Sequence, residues 1–423
     1  MSNVKCPYGK WVNPLKFLMN GLHWILLQTE FIFGFSKKTT NYFMSFSRFT
    51  NQYVICALLL SICILNGSAQ DAKPEFKPSG TVWGYGFGDF FFKAGGDTAT
   101  WASRAEYSGV PKEVYAFAIR RMYLGYDYNI SPRFSANALL EGSDVIQASR
   151  GDRSITIKAL SLKWKEIYKN ADMVIGQQST LAFSFIPEKM WNYRSVEKTL
   201  LDMRGTRSSS DLGLAIYGRF DSLGNSGYNL MIGNNSGTRP EEFTAAGKHK
   251  LYSAELYTYL ADRKIVVDLY GDYQTALNER NVFTIKGFAG YQTATFTIGA
   301  EVFSQMQRNV KSDGESATPF GYSLFARGTL IKNKLSAFAR YDSYNPDNSY
   351  RDQDALTSFN ANNMFRHYDE TFFLAGLDFT PHKNVHVMPN IWINSYSPKA
   401  DSEILPEREA DIVPRVTFYF IFR

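Results

Sequence analysis

The end of the chain, residues 415–423, alternates apolar side chains with other ones. Val416, Phe418, Phe420 and Phe422 occupy every second position. Alternation with a period of two indicates a β-strand with one apolar face. A membrane barrel must pair its last strand with its first, and lipid then faces every second side chain. The pattern therefore predicts the closing strand of an outer-membrane β-barrel.

The same period recurs along the chain and predicts an all-β fold, a transmembrane antiparallel β-barrel of about sixteen strands. Each segment of alternating side chains is bounded by turn residues. The predicted strands are about 80–92, 115–129, 133–143, 154–164, 171–178, 210–220, 226–234, 249–261, 263–274, 281–291, 294–304, 319–331, 333–343, 368–380, 384–394 and 412–422.

Two sets of side chains along these strands are expected to face opposite ways. The apolar set, which we expect to contact lipid, includes Ile265, Val267, Leu269, Phe296, Ile298, Ala300, Val302, Phe373, Ala375, Leu377 and Phe379. The polar set, which we expect to face inward, includes Asp268, Asp272, Thr295, Thr297, Glu301 and Asp378. Polar residues on the inner face indicate water there and not a dry core.

The connections between the predicted strands are sorted by length. Tight turns are predicted at Ile130-Ser131-Pro132, Asp262-Arg263, Gln292-Thr293, Lys332-Asn333 and Pro381-His382-Lys383. They alternate with longer connections at 93–114, 144–153, 179–209, 235–248, 275–280, 305–318, 344–367 and 395–411. In outer-membrane barrels the short turns face the periplasm, so an even strand count predicts that both mature termini are periplasmic. A soluble β-sandwich gives no reason for such sorting.

Residues 44–69 have the order of a secretory signal peptide. A basic region around Arg48 precedes the apolar run Val54 to Leu65, and the small residues Gly67-Ser68-Ala69 follow. The apolar run is too short to span a bilayer comfortably as a helix. We therefore expect cleavage after Ala69 and export of the rest of the chain, with the outer membrane of a Gram-negative bacterium as its destination.

This signal divides the chain into four parts. Residues 1–43 fit either an upstream extension before a true start at Met44 or an unusually long leader. Residues 70–79 form a short linker in the periplasm, and residues 80–423 form the barrel. Residues 60–63 weakly resemble a lipoprotein attachment site, but a bulky Ile stands where a small residue is expected, which favours the signal peptide.

Composition excludes several classes of protein. The three cysteines, Cys6, Cys56 and Cys63, precede the expected cleavage site, so the mature chain can form no disulfide and no cysteine metal site. Residues 1–69 contain six of the 46 basic residues and one of the 40 acidic ones, which leaves a net charge of +1. A nearly neutral mature chain gives no argument for nucleic-acid binding. The whole sequence contains 66 aromatic residues, a composition that suits a barrel with aromatic belts.

The longest connection, residues 179–209, is rich in charge. Its basic candidates are Lys189, Arg194, Lys198, Arg204 and Arg207, and its acidic ones are Glu188, Glu197 and Asp202. As the third long loop it is expected to fold into the lumen and form the pore constriction, where a ring of charge selects ions. Five basic residues against three acidic ones favour anions modestly. The alternative is that Glu188, Arg194, Glu197 and Lys198 pair with one another and only hold the loop.

Charged residues on the strands add candidates for the lumen wall. The basic ones are Arg120, Lys158, Arg219, Arg327, Arg340 and Arg415. The acidic ones are Asp127, Asp211, Asp268, Asp272, Glu301 and Asp342. Because both signs are present, the strands predict no strong selectivity. Some of these residues are expected to form cross-strand pairs that stiffen the wall.

Three stretches resemble the phosphate-selective porin O and P family and the porin-like barrels of Bacteroidetes. They are residues 176–178, residues 191–213 with the segment Trp191-Asn192-Tyr193-Arg194-Ser195-Val196-Glu197-Lys198-Thr199, and residues 340–347. The resemblance covers most of the mature chain. It implies a sixteen-strand outer-membrane channel for small anionic solutes, often assembled as a homotrimer and surrounded by outer-membrane lipid.

Catalytic and cofactor motifs are absent from the sequence. No nucleophile elbow, phosphate-cradling loop or zinc motif occurs, and His382 and His386 lie in a predicted turn and strand with no third ligand candidate beside them. We expect neither enzyme activity nor a cofactor. Two hypotheses remain. One is a diffusion porin, and the other is a closed barrel whose outer loops, especially 344–367 and 395–411, serve adhesion or assembly.

Overall fold

The computed structural model describes residues 4–5, 11–12, 76–98, 105–146, 153–240, 245–357, 364–401 and 404–423. The chain divides into two units, Met1–Lys73 and Pro74–Arg423. In the first unit, the short strands Val4–Lys5 and Trp11–Val12 pair antiparallel. The predicted signal peptide at 44–69 and the three cysteines lie outside the described residues.

The second unit contains sixteen strands that form one closed antiparallel barrel, which confirms the predicted fold. The strands are β1 Ser79–Phe92, β2 Tyr115–Asn129, β3 Phe134–Ile146, β4 Arg153–Tyr168, β5 Ala171–Ser179, β6 Ser210–Arg219, β7 Ser226–Gly233, β8 Leu251–Leu260, β9 Ile265–Gln274, β10 Val282–Gln292, β11 Phe296–Gln307, β12 Phe320–Ile331, β13 Leu335–Asn345, β14 Tyr368–His382, β15 Val385–Pro398 and β16 Asp411–Phe422.

Helices occur only between strands in the described part of the barrel unit. They are α1 Pro187–Trp191, α2 Leu200–Met203 and α3 Asp352–Thr357, with 3₁₀ turns at Ala245–Lys248, Leu277–Glu279 and Met364–His367. Among the described residues, no helix has the length and apolar character that crossing a membrane requires.

The two faces of the strands follow the alternation of the sequence. Leu269 and Ile298 on the outer face are 57% and 47% exposed, whereas Asp268 and Thr297 on the inner face are almost fully buried. Thr295 is the exception among the predicted inward residues. It lies in the turn between β10 and β11, because β11 begins only at Phe296.

A seam of glycines and phenylalanines closes the barrel between β1 and β16. Phe418 pairs with Gly88, Phe420 with Gly86, and Phe422 with Gly84. Each ring lies over its glycine on the outer face, and a Cβ at Gly86 would lie 2.9 Å from Cζ of Phe420. The glycines therefore provide the space that the C-terminal aromatic side chains occupy, as in the aromatic covering of strand glycines in other sheets.

The short and the long connections lie at opposite ends of the barrel, as the sequence predicts. Short turns join the strands at 130–133, 169–170, 220–225, 261–264, 293–295, 332–334 and 383–384. The connections at the other end are 93–114, 147–152, 180–209, 234–250, 275–281, 308–319, 346–367 and 399–410. The sorting fails for one pair, since 147–152 is no longer than 220–225. β3 and β4 extend beyond their predicted ends and shorten that loop.

The barrel interior is not polar throughout, so the expectation of an interior without a dry core was wrong for a large part of the wall. Phe288, Phe325, Phe338, Phe372 and Trp392 face inward and are buried in one apolar cluster. This cluster also contains side chains of the connection between β5 and β6. The wall there needs apolar inward residues because it packs against protein.

Candidate pore constriction

The third-loop segment, residues 180–209, is a compact structure held at its base and along its length. Its ends meet where the Thr180 amide donates to the Ser209 carbonyl over 3.2 Å. Helix α1 begins at Pro187, where a backbone N–H would have no intrahelical acceptor in any case. The helix ends at Asn192, which has a left-handed conformation with φ of 58°. Leu181 and Phe183 are completely buried. They pack in a second apolar cluster with inward residues of β6, β7, β9 and β11.

Four inward-facing arginines hold this segment through its backbone carbonyl groups. Arg120 and Arg415 both donate to the Val196 carbonyl, over 2.9 and 2.6 Å. Arg327 donates to the Met190 carbonyl over 2.9 Å, and Arg340 donates to the carbonyl of Lys198. We call these four residues the arginine clamp. They were predicted as charges of the lumen wall, and here their charged groups contact the backbone of the third-loop segment.

Glu197, a predicted constriction residue, is buried at the centre of this contact. Its side chain accepts a hydrogen bond from Trp392 Nε1 over 2.8 Å, and its backbone carbonyl accepts one from Trp191 Nε1 at the same distance. The backbone amide of Lys198 also donates to Oε1 of Glu197 over 2.9 Å. Glu197 therefore anchors the segment and does not present its charge to water.

Arg204 and Arg207 are buried in ion pairs with the wall. Arg204 pairs with Glu370, with both side chains 1% exposed. Arg207 donates through Nε to Asp272 Oδ2 over 2.7 Å. An ion pair that is out of contact with water contributes little to a ring of charge in a pore. Arg204 and Arg207 are therefore not among the charges that face water. Their partners are acidic residues of β14 and β9.

The water-facing charges of the segment are Arg194, its partners and two lysines. Arg194 donates to Glu188 over 2.5 Å and to Asp202 over 2.7 Å, and the three side chains are 13–22% exposed. Lys189 is exposed and Lys198 is half-buried. Of the four residues in the alternative of mutual pairing, Glu188 and Arg194 do pair with each other. Asp202 is the second acidic partner of Arg194, and Glu197 instead accepts a hydrogen bond from Trp392.

A second group of charges, whose side chains are 11–19% exposed, lies on the inner wall formed by β2, β3 and β4. Glu141 lies 2.8 Å from the Lys158 ammonium and 3.3 Å from the Arg121 guanidinium. Lys158 also donates to Ser209 Oγ over 2.6 Å. We call Arg121, Glu141 and Lys158 the wall group. Through Lys158 this group contacts the base of the third-loop segment directly.

Two irregularities in the strands direct these basic side chains inward. The register between β1 and β2 shifts at Phe87 and Gly88, which leaves Arg120 as an extra residue beside Arg121. The register between β3 and β4 shifts at Leu139 and Leu140, and Lys158 is the extra residue there. A β-bulge redirects side chains locally and breaks strict alternation. Arg120 and Arg121 can therefore both reach inward partners, although they are consecutive.

The electrostatics of the third-loop segment show that its charged face and the wall group are close neighbours. Burial raises the pKa of Glu188 above its usual range, against the lowering effect of Arg194 and Lys158. Burial acts in the same direction on Asp202, but Arg194, Lys198 and Lys158 outweigh it, and the pKa of Asp202 falls below its usual range. Lys158 on the wall thus acts on both carboxyl groups of the segment.

Most of the remaining predicted wall residues have structural partners or lie near the ends of the barrel. Asp211 accepts backbone N–H groups of residues 235–237, Lys286 pairs with Asp268, and Arg340 pairs with Asp342. Asp127 is exposed and accepts hydrogen bonds from Trp83 and Asn137. Arg219 is half-buried on β6, and Glu301 is buried on β11.

Two residues of the wall group, Arg121 and Glu141, are missing from the predicted set. Strict alternation from Arg120 would turn Arg121 outward, and no sequence signal marks the bulge. Glu141 stands at an inward position of β3, opposite Tyr123. The alternation of β3 is a signal that could have identified it.

The described part of the chain contains no group of three or more His, Cys, Asp or Glu side chains arranged to hold a metal ion.

Comparisons with known proteins identify relatives of the fold. No protein-family model and no curated protein sequence matches the chain. The outer membrane channel DcaP of Acinetobacter baumannii is similar with a TM-score of 0.58 and 8% identity, over 82% of this chain and 97% of that one. OmpT of Vibrio cholerae has a TM-score of 0.53 and 10% identity, over 83% and 100%. OmpF of Salmonella typhi, in complex with daunomycin, has a TM-score of 0.52 and 9% identity, over 81% and 97%.

These likenesses show that the chain has a porin-like outer-membrane barrel fold. Membership of the phosphate-selective porin O and P family stays a prediction.

Proposed function

We propose that this protein is an outer-membrane porin through which small hydrophilic solutes diffuse passively. The path runs between the water-facing side of the third-loop segment and the wall group on β2 to β4. The barrel fold and its porin neighbours support a channel. The same fold supports an outer-membrane location with the short turns, and hence both ends of the barrel unit, on the periplasmic side.

The observation that carries this proposal is the uneven exposure of inward-facing charges. Around Arg194 and Glu141 the charged side chains keep 11–22% of their surface accessible. The pairs Lys286 with Asp268 and Arg340 with Asp342 are at most 1% exposed. Charged groups that stay partly accessible inside a barrel mark where water reaches, because a fully desolvated charge needs a partner.

The charge balance along this path supports a modest anion preference. The water-facing set contains five basic residues, Arg121, Lys158, Lys189, Arg194 and Lys198, and three acidic ones, Glu141, Glu188 and Asp202. Most are paired, so the field is weak and sensitive to salt. We propose anionic solutes as the preferred class, and nothing in this balance selects phosphate among them.

Conductance across a planar bilayer tests the function and the location of the path together. We expect stable open steps and a reversal potential on the anion-selective side under a potassium chloride gradient. Changing Lys189 and Lys198 to Glu reverses two water-facing charges and should shift the reversal potential toward cation selectivity. Lys332→Glu makes a like change of charge at an exposed turn and serves as the control.

Two results would contradict the proposal. Absence of open steps from correctly folded, heat-modifiable protein would exclude a porin. Equal shifts from the Lys189 and Lys198 variant and from Lys332→Glu would place the path elsewhere.

A closed barrel is the second candidate, and the apolar packing of the third-loop segment favours it. Trp191 is fully buried, with ring centroids 5.3 Å from Phe325 and 6.1 Å from Phe338 on the far wall. If this packing seals the interior, the outer loops carry the function as an adhesion or assembly surface. The conductance experiment separates this candidate from the porin.

We also propose that the barrel assembles as a homotrimer in outer-membrane lipid. Support comes from OmpT of Vibrio cholerae, which is described in a trimer form and has a TM-score of 0.52 to this chain. The mass of the purified protein in mild detergent tests the assembly, and a single-barrel mass would contradict it.

A further inference from the structure

A cavity of about 360 Å³ opens beneath the third-loop segment, at the end of the barrel that carries the short turns. Residues of β1, β14, β15 and β16 line its wall, and α1 with the residues after it forms its roof. Its volume lies near the lower end of the roughly 300–1,000 Å³ of small-molecule sites. Glu188, Lys189 and Arg194 of the water-facing set lie among its lining residues, so the cavity adjoins the proposed path.

The wall side of the cavity is aromatic. Tyr419 is central to it, with ring centroids 5.9 Å from Tyr85, 6.4 Å from Phe87 and 5.3 Å from His386. Tyr85 also lies against Tyr123, with 4.6 Å between ring centroids. Tyr85 and Tyr419 are only half-buried, so part of each side chain remains accessible to a solute. A surface of this kind favours molecules with a flat or apolar ring face.

The roof side of the cavity has one cation without an ion-pair partner among the described residues. Lys189 is exposed, and its ammonium lies 5.5 Å from the Phe185 ring centroid. The other charges at the cavity are paired. Arg194 bonds to Glu188, and Asp378 lies 2.9 Å from His386 Nδ1 and accepts a hydrogen bond from Tyr193 over 3.2 Å. Lys189 is thus the charge available to a bound anion.

From this arrangement we infer that the cavity is a binding site for small solutes that combine a six-membered ring with a carboxylate. The ring would lie against Tyr419 and Tyr85, and the carboxylate would face Lys189. This inference rests on the proposed function, since it names the class of solute that the proposed path carries. Aromatic acids and sugar acids share this chemistry, and the experiment distinguishes them.

Binding is measured by ligand-observed NMR titration of the purified full-length barrel in detergent, so the readout does not require current. The probes are benzoate for aromatic acids, glucuronate for sugar acids, and acetate for a carboxylate without a ring. We expect benzoate or glucuronate to bind more tightly than acetate. Tyr419→Ala should lower the affinity for the ring anion by about threefold to tenfold, the range of an aromatic contact, and leave the affinity for acetate unchanged.

Three variants make the result specific. Tyr419→Phe keeps the ring and should restore most of the affinity that Tyr419→Ala loses. Lys189→Gln should weaken ring anions and acetate alike, because it removes the charge and keeps the aromatic wall. Tyr291→Ala removes a tyrosine from the exposed outer face of β10 and should change nothing.

The outcomes separate this inference from the function beneath it. Saturable binding of a ring anion that Tyr419→Ala weakens supports the site, and the probe that binds identifies the source. The site is excluded if acetate binds as tightly as both ring anions, if neither ring anion saturates, or if folded Tyr419→Ala binds as the wild type does. Open conductance without such binding leaves the porin and removes the site. Binding without conductance would keep the site and exclude the porin.

Discussion

Inward-facing charges differ in burial between the two sides of the barrel interior. On the packed side, formed by β7 to β16 and β1, many charges are paired and almost completely buried among apolar side chains, as with Lys286 and Asp268. On the open side, formed by β2 to β5, charges such as Lys158 and Glu141 are paired but keep part of their surface accessible. The packed side therefore serves to hold the third-loop segment, except at the cavity near the short turns, and the open side is where we propose the water-filled path.

The largest expected difference between the sides is in stability. Arg204→Met removes the buried ion pair with Glu370 on the packed side but keeps the hydrogen bond from Asn394 to Glu370, and we expect a loss of about 3–5 kcal/mol in the free energy of unfolding. Arg121→Met on the open side leaves Glu141 with Lys158 and some accessible surface, and we expect a loss below about 1 kcal/mol. Urea unfolding in lipid vesicles measures both.

A double variant checks the cause. Arg204→Met combined with Glu370→Met removes both charges and should recover most of the loss, because no buried carboxylate then remains without the Arg204 guanidinium. Similar losses for Arg204→Met and Arg121→Met would show that the two sides do not differ as described.

A smaller effect is expected when the arginine clamp is loosened without exposing an unpaired acid. Arg327 donates to the Met190 carbonyl and has no carboxylate partner among the described ion pairs. A hydrogen bond from a charged group contributes about 1.5–3 kcal/mol, so Arg327→Gln should make current fluctuations about tenfold more frequent or more. Single-channel recordings measure the rate.

Arg219→Gln provides the matched control for this variant. Arg219 is also a half-buried inward arginine, but no described hydrogen bond joins it to the third-loop segment. Quiet recordings from both variants would mean that the clamp does not hold the segment in place.

The smallest expected effect is a pH dependence on the open side. The pKa of Glu188 is raised and that of Asp202 is lowered, so Glu188 takes up a proton first as pH falls. Losing one negative charge should increase the preference for chloride between pH 7 and pH 5, by less than about twofold because the group is partly exposed and screened. Reversal potentials of the wild type should shift with pH more than those of Glu188→Gln, in which His386 remains at the cavity. A wild type without any shift would contradict this assignment.

Strand alternation was sufficient to predict the barrel but not the division of its interior. Period-two patterns located all sixteen strands within a few residues, because lipid imposes an apolar outer face on every strand. The inner face has no such uniform rule. Phe325 packs against Trp191 of the third-loop segment, and Trp392 donates a hydrogen bond to Glu197 of the same segment. A strand pattern read alone does not show that neighbour.

The candidate constriction shows the same limit at the level of single residues. The third-loop segment was recognised by its length and charge, and Arg194 and Glu188 lie at its water-facing side. Arg204 and Arg207 are instead buried with acidic partners on the wall, at Glu370 and Asp272. Which arginine finds a buried acid depends on the path of the segment in three dimensions. Local sequence contains no record of that path.

The seam between β1 and β16 also has a consequence for the time course of folding. Every other pairing in the barrel joins strands that follow one another along the chain, whereas Gly86 meets Phe420 across almost the whole barrel unit. Closing so long a loop has the largest entropic cost, so we expect this pairing to form last.

Cysteines at positions 86 and 420 would report this step by cross-linking, since residues 70–423 contain none. A cross-link as early as one within the hairpin of β14 and β15 would disprove the order. Until the seam closes, both edge strands expose unpaired backbone groups. The interval before closure is therefore when a nascent barrel depends most on factors that keep chains apart.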